Sequence, residues 1–516
     1  MPFSDILIIL GLLSALFAFL FWPHKKPFVW GFFSLSVIGA AISLYHLHWQ
    51  AVLGACLLFV FMLVFSFVKD KPTSVLSRNL MLGGGLICTF CAVLPFYFFP
   101  IFSLPEPTGS YAVGMQEYEL VDESRKGVLG EDKDTARRIK VRIWYPAKTV
   151  AGLDKSLYWS RAQGLYQGVS LAKNFGEPAF IYMHLSSVGT NSYEAAPIAT
   201  TDKPFPFVVF SHGFWSYLSQ NTALMEQLAS HGYVVASMSH IGDSSTVLFS
   251  DGTKAVPYFE ATDDETAGAK DDALVGALTA FMGSDTHGAR VAAIPALEKV
   301  VKEHRLYESF EAWRDDMLFV TSSLRENKVP ARIVAISEHT DFSKIGAVGM
   351  SFGGTMAATF CHIEDTCVAA VNLDGENFDF SLYDQEINAA LLMVLTDQPF
   401  NSFQVKDKSF NPTDYAYEKY ATMGQRADIY RMHLRGMRHL GLMDLHLLAR
   451  SPFRASVYGG IGREKGIAAI NEATLEFFDK HLRAQQSAFP TDVYAAYPEM
   501  VEHDPSGVAR WWADNQ

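Results

Sequence analysis

Ser351 sits in Gly349-Met350-Ser351-Phe352-Gly353-Gly354, between an apolar run, Lys344-Ile345-Gly346-Ala347-Val348, and a helical pattern, Thr355-Met356-Ala357-Ala358-Thr359-Phe360. A serine on a sharp strand-to-helix turn can present its hydroxyl as a nucleophile. Glycines on both flanks are needed where such a turn leaves no room for a side chain. A free hydroxyl is a weak nucleophile and needs a base. His439, in Gly436-Met437-Arg438-His439-Leu440-Gly441 after a later apolar run, is the first candidate. His212, His240, His362 and His446 are rivals. Of these, His212 reads as shaping the loop before Gly213, and His446 reads as a core histidine in an apolar helical pattern.

The base needs an acid to orient it, and two aspartates fit. Asp374 closes Val368-Ala369-Ala370-Val371-Asn372-Leu373, and Asp397 closes Leu391-Leu392-Met393-Val394-Leu395-Thr396. Such a set performs acyl transfer, which also requires backbone donors aimed at the developing oxyanion. Phe352 N–H supplies one. The loop Ser211-His212-Gly213-Phe214-Trp215-Ser216-Tyr217 supplies the other, expected at Phe214 N–H. Phe214, Trp215, Tyr217 and Leu218 in the same stretch form an apolar wall for an acyl group. Either aspartate preserves the chain order Ser, Asp, His, which is that of α/β-hydrolases.

These groups must be held by elements, and eight candidate strands are legible, near 111–120, 138–145, 205–210, 233–239, 344–350, 368–373, 390–395 and 428–433. Runs such as Phe207-Val208-Val209-Phe210 suit central strands covered on both faces. Helical patterns at 220–230, 307–325 and 464–482 alternate with them. The alternation predicts an α/β-hydrolase fold, a mainly parallel eight-stranded sheet with helices on both faces. About a hundred residues separate the fourth and fifth strands, too many for a simple crossover. They predict a helical insertion near 255–335 that serves as a cap or as peripheral packing, with a polar acidic stretch at Asp263-Asp264-Glu265-Thr266.

The front of the chain differs in composition. Four apolar stretches, 6–22, 28–45, 51–68 and about 79–99, each run near the length of a bilayer-crossing helix. They predict a membrane domain over 1–104 with four transmembrane helices, followed by a domain over 105–516. Basic residues of the short loops (Lys25, Lys26, Lys69, Lys71, Arg78) all fall on one side. That predicts a multi-pass plasma-membrane protein with the lipid bilayer as a partner and the catalytic domain on the extracytoplasmic side.

The net charge is −13. Residues 1–104 balance to +3, so the remainder carries −16, a poor partner for nucleic acid and compatible with neutral or zwitterionic substrates. Cys56, Cys88 and Cys91 lie in the apolar stretches. Cys361 and Cys367 flank a five-residue loop and are expected to pair in an oxidising compartment. Zinc is not expected there, since no second ligand pair is evident.

Four segments together resemble the plasma-type platelet-activating-factor acetylhydrolases and their bacterial relatives. They are 210–214, Phe-Ser-His-Gly-Phe; 228–236 continuing through His240-Ile241-Gly242-Asp243-Ser244-Ser245; the Ser351 string with Asn372-Leu373-Asp374-Gly375; and Gly436-Met437-Arg438-His439-Leu440-Gly441-Leu442-Met443-Asp444. The resemblance implies Ser351, Asp374 and His439 as the triad, favouring Asp374 over Asp397. It also implies metal-independent and cofactor-free hydrolysis of carboxylic esters, with short-acyl phospholipids as one substrate class. Met350 stands where the family usually has histidine, and Leu442 where an aromatic is common. The rival functions are a peptidase or polymer esterase on the same fold, and an inert binding or sensor module.

Overall fold

The computed structural model describes residues 2–21, 26–67, 75–127, 134–258, 267–397 and 411–516. The chain divides into two compact units. One comprises 1–103, 157–189 and 447–456; the other comprises 104–156, 190–446 and 457–516.

The first unit is helical. Its helices are α1 (Phe3–Phe21), α2 (Lys26–Tyr45), α3 (Ala51–Phe67) and α4 (Val75–Phe98), joined later in the chain by α5 (Arg161–Asn174) and a 3-10 turn, Met183–Ser187. Ile8, Leu12, Phe33, Ala40, Ala51, Leu58, Ala92 and Phe96 pack together as its apolar core. Leu10, Leu13, Ile38 and Phe90 remain exposed on other faces.

Among the described residues no helix is long and apolar enough to cross a membrane. This corrects the reading of four transmembrane spans, of a multi-pass plasma-membrane location with a bilayer partner, and of an extracytoplasmic side. Apolar composition alone does not separate a spanning helix from one that packs in a bundle. Over the described residues α3 runs for 17 residues, about 26 Å of helix. The first turn of α1 buries Ser4 and Asp5, and α4 takes in Ser77, Arg78 and Asn79 near its start and Pro95 near its end. Lys25, Lys69 and Lys71, on which the orientation rested, lie outside the described residues.

The second unit is built on an eleven-stranded sheet in the order β13-β12-β11-β10-β9-β5-β6-β2-β1-β4-β3. The eight strands expected from sequence form one contiguous block of it: β1 (Ala112–Lys126), β2 (Ala136–Ala147), β5 (Phe205–Ser211), β6 (Val234–Met238), β9 (Thr340–Met350), β10 (Cys367–Leu373), β11 (Ala390–Thr396) and β12 (Ile429–Leu434). Three short strands that lack an apolar run complete the edges: β3 (Lys155–Leu157), β4 (Gly189–Glu194) and β13 (Met500–Glu502). A separate hairpin joins β7 (Val247–Leu248) and β8 (Lys254–Ala255). From β6 through β12 the neighbours are parallel, while β2 joins β6, and β13 joins β12, antiparallel.

Both faces of the central strands are covered. Phe207, Val208, Val209 and Phe210 are all fully buried, as a parallel sheet between helical layers requires. On one side Ala347, Ala370 and Leu391 share a core with Trp313, Met317 and Val320 of α9 (Arg305–Arg325) and with Met356 and Phe360 of α11 (Phe352–Ile363). The other layer includes α6 (Thr222–Ser230) and α12 (Arg463–His481). Between β6 and β9 the chain forms α7 (Ala267–Met282), α8 (His287–Glu303), α9 and α10 (Ala331–Glu338). The acidic stretch expected at 263–266 lies outside the described residues.

The chain leaves β5 toward β6 on one side and β9 toward β10 on the other. The gap between β5 and β9 is therefore the switch point of the sheet, where loops diverge and leave a crevice beyond the strand ends. The Gly213 loop and Ser351 emerge at this point.

Candidate active site

Ser351 stands at φ 57° and ψ −128°, a strained backbone for a residue with a side chain. The strain is imposed by crowding. A Cβ on Gly349 would lie 2.0 Å from Gly353 O, and one on Gly353 would lie 2.1 Å from Ser211 O. Only glycine lets β9, β5 and α11 close on one another here, and the turn that results lifts Ser351 out of the sheet, half-buried.

His439 Nε2 lies 2.9 Å from Ser351 Oγ, and His439 Nδ1 lies 2.8 Å from Asp374 Oδ2. The Asp374 carboxylate is held from behind. Thr396 Oγ1 donates to Oδ2 at 2.6 Å and Thr396 N donates to Oδ1 at 3.0 Å. The His439 and Asp374 side chains are each 7% exposed, so their pairing is little diluted by solvent. An acceptor-only carboxylate on Nδ1 fixes the proton there and turns Nε2 into an acceptor toward the serine.

Asp397, the rival acid, does not reach His439. It accepts from Gly436 N at 2.7 Å and pairs with His433 Nε2 at 3.0 Å, which ties down the start of the His439 loop. Beside Asp374, Glu376 is pushed up to about 7 by burial and by the Asp374 charge.

Phe214 N–H and Phe352 N–H have no backbone acceptor among the described residues. Phe352 opens α11, where the first amides have no intrahelical partner. A Cβ on Gly213 would come within 3.3 Å of Ser351 Cβ, so the loop after β5 lies directly against the serine. Gln220 Oε1 accepts from Gly213 N and Asp243 O accepts from Trp215 N, which fixes the loop on both sides of Phe214. Phe214 and Trp215 are partly exposed. Tyr217 and Leu218 are 1% and 5% exposed, so of the four apolar residues expected to face an acyl group only the first two meet solvent.

Sequence reasoning missed what lies beneath the loop. Trp313 stacks on Phe214 with ring centroids 5.9 Å apart and meets Phe352 edge-on at 4.9 Å. Its Nε1 donates to Asp243, which also pairs with Arg305. His240 stacks on Trp313 at 3.9 Å, hydrogen-bonds Ser211 Oγ at 3.0 Å and pairs with Asp316, itself gripped by Arg137 through two 2.6 Å bonds. Desolvation opposes the Asp316 charge, yet Arg137 outweighs it and holds the carboxyl far below its usual range. Ser211, His240 and Asp316 are fully buried, so this set is walled off and can act only by fixing the loop. His212 Nδ1 donates to Gly213 O and its Nε2 accepts from His240 N, a loop-shaping role; His446 is buried. The His240-Ile241-Gly242-Asp243 segment was a visible signal, but its partners on α9 were not.

Cys361 and Cys367 are bridged across the end of α11, with Cα atoms 4.7 Å apart. With the outward orientation withdrawn, their pairing rests on this proximity. Among the described residues no group of three His, Cys, Asp or Glu side chains could hold a metal ion.

The second unit is thus an α/β-hydrolase in fold, with a serine, a histidine and an aspartate in hydrogen-bonded sequence at its switch point. A family model described as platelet-activating factor acetylhydrolase, isoform II, matches residues 97–260, a stretch that carries the Phe214 loop and ends before Ser351. Platelet-activating factor acetylhydrolase of the dog (Canis lupus familiaris) is 30% identical over 150 residues, covering 28% of this chain and 30% of that one. Its counterpart in the chicken (Gallus gallus) is 22% identical over 395 residues, 74% of this chain and 84% of that one. The chain therefore spans less than a third of the canine relative's length in that match. A solved ferulic acid esterase from Streptomyces cinnamoneus has the same fold, with a TM-score of 0.56 at 21% identity over 78% of this chain and 98% of that one. The chain is similar to carboxylic ester hydrolases of the platelet-activating-factor acetylhydrolase family.

Proposed function

We propose that the protein is a serine ester hydrolase that cleaves carboxylic esters, with lipid-like esters carrying a short acyl group as its substrate class. The observation that carries this reading is the unbroken set Ser351 Oγ, His439 and Asp374, at 2.9 and 2.8 Å. Ser351 Oγ attacks the ester carbonyl while its proton passes to His439 Nε2. The oxyanion forms against Phe214 N–H and Phe352 N–H, and the imidazolium is balanced by Asp374. His439 then gives the proton to the departing alcohol as the C–O bond breaks, and water releases the acyl group by the same route in reverse. No cofactor enters.

The choice of substrate is supported by three features. Phe214 and Trp215 offer an apolar approach, and the −16 carried by residues beyond 104 disfavours anionic headgroups. The short acyl group and the phospholipid class come from the acetylhydrolase relatives. The test is a panel of p-nitrophenyl esters of rising acyl length, zwitterionic short-acyl phospholipids, and peptides, run on the protein and on Ser351→Ala. Cleavage of short-chain esters that Ser351→Ala loses by about 10⁴-fold is expected. Near-normal turnover by that variant would remove the reading, and preference for peptides would replace it with a peptidase.

A further inference from the structure

The helical unit contains a second set of the same three side-chain types. Asp5 lies in the first turn of α1, His48 in the turn after α2, and Ser187 ends the 3-10 turn Met183–Ser187. His48 Nδ1 is 3.0 Å from Asp5 Oδ1, and His48 Nε2 is 2.9 Å from Ser187 Oγ. The hydroxyl behind the acid recurs as well. Ser43 Oγ donates to Asp5 at 2.6 Å, as Thr396 Oγ1 does to Asp374. The four residues come from stretches up to 182 positions apart in number, so the array is a product of tertiary packing.

Burial divides the set in a useful way. Asp5 and His48 are 1% and 3% exposed, whereas Ser187 is only half-buried. A buried carboxylate on Nδ1 keeps the proton on that nitrogen and presents Nε2 as a base to a hydroxyl within reach of solvent. The enclosed set Ser211, His240 and Asp316 has similar distances, but its serine is sealed off and Arg137 and Arg125 hold its acid. Of these two sets, that of Ser187 combines the contacts with access.

His184 lies in the same 3-10 turn, three residues before Ser187 in sequence. His184 Nδ1 accepts from Trp49 Nε1 at 3.1 Å, so a neutral ring carries its proton on Nε2. Burial, with the nearby His48, pushes His184 down to about 3, which keeps the ring neutral. Its buried Nε2 has no hydrogen-bond partner among the described residues. Among the described residues Ser187 Oγ also donates to His46 O at 3.2 Å, longer than its contact with His48.

We propose that Ser187 is a second activated serine, with His48 as its base and Asp5 orienting that base, reactive toward small acyl and phosphonyl esters. In the acyl case Ser187 Oγ bonds to the carbonyl carbon and its proton moves to His48 Nε2. The leaving alcohol takes that proton as the original C–O bond breaks, and water later cleaves the acyl-serine. With a fluorophosphonate the phosphorus bonds to Oγ, fluoride leaves, and the proton remains with His48 or passes to solvent.

The test uses the full chain with Ser351→Ala, which silences the first site, treated with a fluorophosphonate and mapped by peptide mass spectrometry. An adduct at Ser187 is expected, slowed at least about 10-fold by adding His48→Gln. No adduct at Ser187 in a folded Ser351→Ala protein overturns the proposal, and so does an adduct indifferent to His48→Gln. Should His48→Gln fail to fold, Ser43→Ala replaces it. That variant leaves the Asp5, His48 and Ser187 contacts in place and is expected to slow labelling several-fold, while an unchanged rate overturns the array. Labelling of Ser351 in the unmodified chain is scored separately, so failure at one serine is not read as failure at the other.

Discussion

Replacing Asp374 by asparagine should nearly abolish activity, and the structure says why the side chain cannot adapt. The carboxylate takes three donors: His439 Nδ1, Thr396 Oγ1 and Thr396 N. The last is a backbone N–H whose polarity is fixed. The asparagine oxygen must therefore stay at the Oδ1 position, and its NH₂ must replace Oδ2, facing Nδ1. The Thr396 hydroxyl can rotate to accept, but His439 can respond only by moving its proton to Nε2. Nε2–H then points at Ser351 Oγ, and the serine has lost its base. The expected loss is about 10⁴ in kcat, or about 5.5 kcal/mol at 1.36 kcal/mol per decade. Asp397→Asn is the control. That side chain is 43% exposed, and an asparagine oxygen still accepts from Gly436 N, so a change under about threefold is expected. The assay is kcat and KM on a soluble p-nitrophenyl ester, with circular dichroism to show that both variants fold. If Asp374→Asn keeps a tenth of wild-type kcat, or Asp397→Asn falls further than it does, the tautomer argument is refuted.

Gly353→Ala places a methyl 2.1 Å from the Ser211 carbonyl, so it should lower stability by several kcal/mol in a denaturant melt and silence the enzyme. Asp316→Asn leaves Arg137 charged, buried and unpaired, at an expected cost of about 3–5 kcal/mol, and it should lower kcat more than it raises KM because the Phe214 loop is loosened. Retention of both stability and kcat would show that this network does not position the loop. The raised Glu376 gives a pH signature. A carboxyl raised from 4.5 to about 7 on folding binds more protons in the native state between those values, so stability falls as pH rises through that window and levels off above it. Glu376→Gln should flatten the melting-temperature profile between pH 5 and 8 by an amount worth about 1–3 kcal/mol, and an unchanged slope would exclude Glu376 as its source.

What the sequence determined by itself was local. A tight turn needs glycines at 349 and 353, a covered strand needs an unbroken apolar run, and these two rules located Ser351 and eight adjoining strands of the sheet. The histidine loop was legible for the same reason. The short edge strands β3, β4 and β13 were not, since an edge position places little demand on residue type. The choice between Asp374 and Asp397 was open from spacing, because both close a strand, and only the folded loop after β12 shows that Asp374 meets His439 while Asp397 is taken by His433 and Gly436. Trp313, Arg137 and Asp316 were invisible because their roles arise only when α9 folds back under the β5 loop. The four apolar stretches misled in the opposite direction. Composition measures how apolar a segment is, whereas its length as a helix, its buried polar residues and the faces it packs are set by the tertiary fold. The array of Asp5, His48 and Ser187 has no motif at all, and only the packing of the helical unit brings an acid near residue 5 to a serine near residue 187.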